Sequence, residues 1–169
     1  GVELVYSVEE VSVPEGYTVI NYPVTIASTY ANSMAPGSHI NIYYKSLNDD
    51  GEVMFGKFIS NIEVLDVKDS SGRHVFENSD EARTPAYMLF AVPEETHLLL
   101  RKALYLTDYD VELLLIPNTA TLSEDQKVTV SSLQIEEFIN SKTAFVSVDD
   151  LPQVSDNVTE DTSNTTNNE

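Results

Sequence analysis

Nucleophilic catalysis of the Ser-His-Asp kind needs a histidine held by a carboxylate. The chain offers three histidines, His39, His74 and His97. His39 opens a strand-like run, His74 lies in or beside a turn, and His97 shares a helix face with Glu94 and Arg101. No nucleophile-elbow pattern accompanies them, and each reads as a surface residue. Hydrolysis by a carboxylate pair would require two acids with separated pKa values in a cleft, and no such pair stands out. The expectation is a protein without catalytic residues, and not an enzyme.

Metal binding needs clustered ligands at loop or helix spacing. Asp49-Asp50-Gly51-Glu52 is the densest acidic turn, yet it lacks the alternating ligands of an EF-hand loop and is explained as a hairpin tip. Asp108 and Asp110 flank Tyr109 before a strand, again as turn residues. The glycines are isolated and cradle no phosphate. With no cysteine, disulfides, thiol catalysis and cysteine-ligated metals are excluded. Neither metal nor cofactor is expected. Tyr43, Tyr44, Tyr87, Tyr105 and Tyr109 fall near strand or helix ends. Tyrosine suits protein or sugar surfaces because it joins apolar area to a polar tip, while the plainer reading is half-buried β residues. No binding residue is assigned.

The elements that would position these groups follow from pattern. In Met34–Tyr44 the turn chemistry of Pro36-Gly37 runs straight into Ile40, Ile42 and Tyr44, alternating with Asn41 and Tyr43, which predicts a strand with one buried face. Val2, Leu4, Tyr6 and Val8 alternate before it, then slip phase to Val11 and Val13 and stop at Pro14-Glu15-Gly16. Tyr17 to Ile26 reads as extended, with Pro23 arguing for an edge position or a break. Asn48 to Gly51 signals a hairpin, and Val53 to Val67 one long strand or two short ones, with Gly56 and Ser60-Asn61 as irregularities. His74 to Pro85 reads as a surface loop. Tyr87–Val92, a helix from Pro93 to about Leu106, and Val111–Ile116 then form a β-α-β unit. The helix stripe is Leu99, Leu100, Ala103 and Leu104, with Glu94 and Glu95 in the first turn and Arg101 and Lys102 near the end. Ser131-Ser-Leu-Gln134 is a capping box ahead of a short helix, and Ala144 to Val148 a final strand. From Pro152 to Glu169 the composition cannot offset chain entropy, so a disordered acidic tail is expected.

A length of 169 residues fits one domain, or one domain with a smaller appendage. Its 28 acidic against 9 basic residues give a net charge of -19, which repels nucleic-acid phosphates and anionic lipid. No membrane-length apolar run and no basic-then-apolar leader is present. The sequons at Asn157 and Asn164 would matter only in a eukaryotic secretory route.

Two segments carry a family resemblance. Val19–Ile26 followed by Ala35-Pro36-Gly37-Ser38-His39-Ile40-Asn41-Ile42 resembles the Flp pilus assembly protein CpaB/RcpC family, in which an extended run precedes a "PGDRVDV" motif. Val92-Pro93-Glu94-Glu95-Thr96, with Glu112-Leu113-Leu114-Leu115 beyond it, is similar to the family's "TPEQA" helix start and final strand. Ser38-His39 replaces the family's Asp-Arg, and Val92 its capping threonine. The resemblance implies a mainly β (α+β), SAF/β-clip-like fold divided into four parts. These are an N-terminal β segment (1–18) belonging to a SAF/β-clip neighbour, a family-like domain (19–117), a C-terminal extension with a short helix and strand (118–151), and the disordered tail (152–169). It further implies a non-enzymatic bacterial envelope factor, extracytoplasmic and anchored by an N-terminal membrane helix lying outside this sequence. Its partners would be the assembly proteins of Flp (type IVb, Tad) pili. The alternative is a module binding cell-wall or capsular saccharide through its tyrosines.

Overall fold

The computed structural model describes residues 13–77, 80–120 and 127–146. The turn at Pro36-Gly37 sets the entry of its strand as expected. Gly37, at φ +87, donates its N–H to the Val64 carbonyl at 2.8 Å, and Val64 donates back to Ser38 at 2.9 Å. From this clamp β2 (His39–Leu47) buries Ile40, Ile42, Tyr44 and Ser46 on one face. A hairpin joins it to β3 (Val53–Lys68). The Asn48 carbonyl side chain accepts the N–H groups of Asp50 and Glu52, and Gly51 takes the positive φ. The acidic tip is thus a turn held by asparagine.

β3 is one strand of 16 residues with a bend. Asn61 lies in the left-handed region at φ +67, and the β2–β3 register shifts opposite it, on either side of Ile42. A residue there re-aims the strand as a bulge does. Before the bend β3 pairs with β2 on one edge and β6 (Thr129–Val130) on the other; beyond it, β3 pairs with β4 (Tyr87–Pro93). Gly56 causes no irregularity, since the ladder runs through its pairing with Tyr44. A Cβ there would meet Ile135 Cδ1 at 3.4 Å, an ordinary contact, which places Gly56 beneath that side chain.

The sheet has the order β1-β4-β3-β2-β5 and is antiparallel throughout, with β1 (Tyr17–Pro23) and β5 (Glu112–Pro117) at its ends and β6 beside β3. This is the mainly β, α+β arrangement expected. The extended run stops at Pro23 rather than Ile26, because Thr25 and Ser28 satisfy each other's groups in a tight turn. Strand, helix and strand do follow in the order β4, α1 (Glu94–Tyr105), β5. However, β4 and β5 are separated by β3 and β2 and run in opposite directions, so they form no adjacent crossover pair.

Both helices lie on one face of the sheet. α1 buries Thr96, Leu99, Leu100 and Ala103, while Leu104 turns to the rim. Pro93 precedes the helix as its N-cap instead of opening it. α2 (Leu133–Lys142) adds Ile135 and Ile139 to the same core. Its cap is Ser132, one residue later than the box predicted, because the Ser131 hydroxyl is engaged with that of Ser60. Ala144–Val146 belong to no strand, correcting the expected final strand; the Phe145 ring instead lies under Lys102 Nζ at 4.9 Å. Ser147 and Val148, the N-terminal alternation up to Ser12 and the acidic tail lie outside the described residues.

Tyr44 is fully buried, where a half-buried residue was expected. Among the described residues its hydroxyl has no hydrogen-bond partner; the neighbouring Ser46 hydroxyl gives its hydrogen to the Leu47 carbonyl. Burial raises the Tyr44 pKa, as expected of a hydroxyl held away from water. An unpaired buried hydroxyl costs about 1–3 kcal/mol. Tyr44→Phe is therefore expected to hold or raise stability, by up to about 1 kcal/mol, in urea unfolding; a loss would show that the hydroxyl is paired.

Candidate interaction surfaces

With the helices on one face, the opposite face of β2, β3 and β5 is open among the described residues. Alternation and register place Leu47 beside Val53, Lys45 between Glu112 and Phe55, and Tyr43 between Leu114 and Lys57. Val53 is 64% exposed and Phe55 60%; Tyr43, Leu47, Leu114 and Ile116 are half-buried. The Tyr43 and Phe55 rings stack with centroids 5.7 Å apart. Lys45 is tied to Asp110 at 3.0 Å, whereas Lys57 has no carboxylate partner among the described residues. Adjoining aromatic and aliphatic side chains edged by lysine have the composition of a protein-contact surface.

The hairpin tip borders an open depression of about 440 Å³ between Asp49, Asp50, Met54, Glu137 and Phe138. Asp49 receives Lys142 Nζ at 2.6 Å and the Tyr109 hydroxyl at 2.9 Å. The lysine, then the tyrosine, hold its carboxyl below the ordinary 3.8. The acidic turn thus docks α2 to the hairpin. Among the described residues no group of three or more His, Asp or Glu could hold a metal ion.

Two of the three histidines are built into the fold rather than lying on the surface. His74 Nδ1 is 2.6 Å from Asp66 Oδ2, and Asp66 is only 8% exposed. This pair and buried Asp69, which accepts the N–H groups of Ser71 and Arg73 and Arg73 Nε, pin the loop after β3. Those bonds, the Arg73 backbone first, lower the Asp69 pKa below 3.8. His97 Nδ1 meets the Thr18 hydroxyl at 2.7 Å, and Arg101 Nε faces its Nε2 at 3.5 Å. Arginine can only donate, so neutral His97 carries its proton on Nδ1 and donates it to Thr18. That tautomer cannot deprotonate the threonine. His39 begins β2 and is half-buried.

Burial, then the Arg101 charge, lower the His97 pKa from 6.5. The folded state therefore binds this proton less readily than the unfolded chain. Stability is expected to decline as pH falls below about 6.5, and again below about 3.8 as Asp69 and Asp49 protonate. Thermal melts of wild type and His97→Gln across pH 5–8 isolate the first step. The Tm difference should shift in favour of the variant at the acid end; parallel curves would contradict it.

The tyrosines divide by position: Tyr44 in the core, Tyr43 on the open face, Tyr109 on Asp49, and Tyr87 and Tyr105 exposed at 37% and 70%. The open face has a signal in the sequence, since Val53, Phe55 and Lys57 alternate with Met54, Gly56 and Phe58. The chain matches no known family profile, no characterised protein and no solved structure.

Proposed function

We propose that the chain is part of a non-enzymatic, extracytoplasmic assembly factor for bacterial Flp (type IVb, Tad) pili, of the CpaB/RcpC kind, acting through protein contacts. A SAF/β-clip portion and a membrane anchor would precede it. The observation carrying this reading is the pairing of the two resembling segments. The strand after Pro36-Gly37 and the strand Glu112–Pro117 are direct neighbours, with Ile40 opposite Pro117 and Ile42 opposite Leu115. Segments far apart in the chain thus form one unit, and its outward side chains make the open face. Among the described residues no helix is long and apolar enough to cross a membrane.

The test is complementation. Deleting the gene from its native cells should abolish Flp pili. The wild-type copy should restore them and a Tyr43→Asp/Phe55→Asp copy should not. Unchanged piliation after deletion would refute the reading. The stacked, exposed Tyr43–Phe55 pair favours a second reading, a cell-wall or capsular saccharide module, because sugars stack on aromatic faces. Saturable binding to isolated wall material, lost in the same variant, would support it.

A further inference from the structure

A notch opens between β1 and β5 beneath α1. Its cavity of about 30 Å³ is walled by Ile20, Phe90, Leu100, Leu104 and Leu113, with Arg101 also at its border. Consecutive residues 20–23 of β1 border it, so it follows the strand's edge rather than one face. The register shows what that edge presents. Val24 donates to Ala86 at 2.8 Å and Glu94 to Gly16 at 3.2 Å, which places the even-numbered residues of β1 in the hydrogen-bonded pairs with β4. The N–H and C=O groups of Val19 and Asn21 therefore point outward, and no described residue takes them. Pro23, also odd-numbered, fits there because β4 needs no N–H from it.

Arg101 adds an independent observation. The other two arginines, Arg73 and Arg83, each bridge to carboxylates of the chain. Among the described residues Arg101 reaches only the His97 ring. A guanidinium without a carboxylate, beside an apolar cavity at an open strand edge, matches the chemistry of an incoming acidic strand. The cavity exceeds the roughly 10–15 Å³ a water needs, but its apolar walls supply few of a water's two to four polar partners. A branched aliphatic tip fits it better.

We propose that β1 takes up an extended segment of a partner protein as an added strand. An aliphatic side chain of that segment enters the cavity, and an Asp or Glu two residues away pairs with Arg101, the spacing that keeps both on one face. This rests on the protein-contact reading and gives it a second contact apart from the open face.

The test titrates the full chain with a blocked peptide, Thr-Val-Thr-Glu-Thr-Val-Thr, observed by amide NMR. Shifts and slowed exchange are expected at Val19 and Asn21. Arg101→Gln, or glutamine for the peptide's glutamate, should weaken binding at least tenfold. Asn21→Pro removes an edge donor that β4 does not use, so it should abolish binding while leaving the β1–β4 ladder paired. No binding at millimolar peptide, or equal binding by both variants, overturns the proposal. Binding that appears only after residues 1–12 are deleted also overturns it, since the chain's own segment would then hold the edge. Both variants leave Tyr43 and Phe55 intact, so pilus assembly through the open face is scored separately.

Discussion

Phe58→Ala is expected to cost about 3–5 kcal/mol, a large share of the roughly 5–15 kcal/mol that holds a domain of this size folded. Phe58 is fully buried, and its ring meets Tyr44 edge-on at a centroid distance of 5.6 Å. Its carbonyl also receives the Ser131 N–H at 2.7 Å, just ahead of the α2 cap. Truncation would leave a void where β2, β3 and α2 meet, and strands on both edges of β3 restrict its collapse. The control lies on the same strand. Phe55, 60% exposed on the opposite face, should lose no more than about 0.5 kcal/mol on going to alanine. Urea unfolding of both variants decides the matter. Equal losses would mean that the two faces of β3 are assigned the wrong way round.

The second large effect concerns contact rather than stability. Tyr43→Asp/Phe55→Asp should lower affinity for the proposed pilus partner by tenfold or more, since desolvated aromatic anchors contribute about 2 kcal/mol or more each at interfaces. Thermal stability should change little, because both side chains stand on the solvent side of the hairpin. Lys57→Glu should mainly slow association and alter its salt dependence, as expected of a charge at an interface rim. Surface plasmon resonance against the captured partner separates the two. Undiminished affinity in the double variant would move the contact elsewhere on the molecule.

Local pattern made much of this fold legible. Ile40, Ile42 and Tyr44 announced both β2 and its buried face, because a one-residue slip would have exposed all three. The hairpin at Asn48–Gly51 and the charges of α1 were equally readable, since turns and helix ends are settled within a few residues. What escaped was long-range. The separation of β4 from β5 depends on which edges β2 and β3 leave free, and no window of sequence contains that. Asn61 lies where the pairing along that edge of β3 passes from β6 to β4, which only the folded sheet reveals. His97 looked like a surface residue until Thr18 was brought to it across the fold, and His74 until the turn after β3 folded it back onto Asp66. The notch beneath α1 joins residues 20–23, 97–104 and 113, and so has no local signature at all.

The most direct test of the central claim is site-specific photo-cross-linking in the native cells, with the full-length protein carrying the cross-linker at Phe55. A second cross-linker at Phe76, 41% exposed on the loop after β3, serves as the control. The account predicts that position 55 captures pilin, the secretin or the pilus ATPase platform and that position 76 does not. Capture of wall saccharide with no pilus component at position 55 would contradict it.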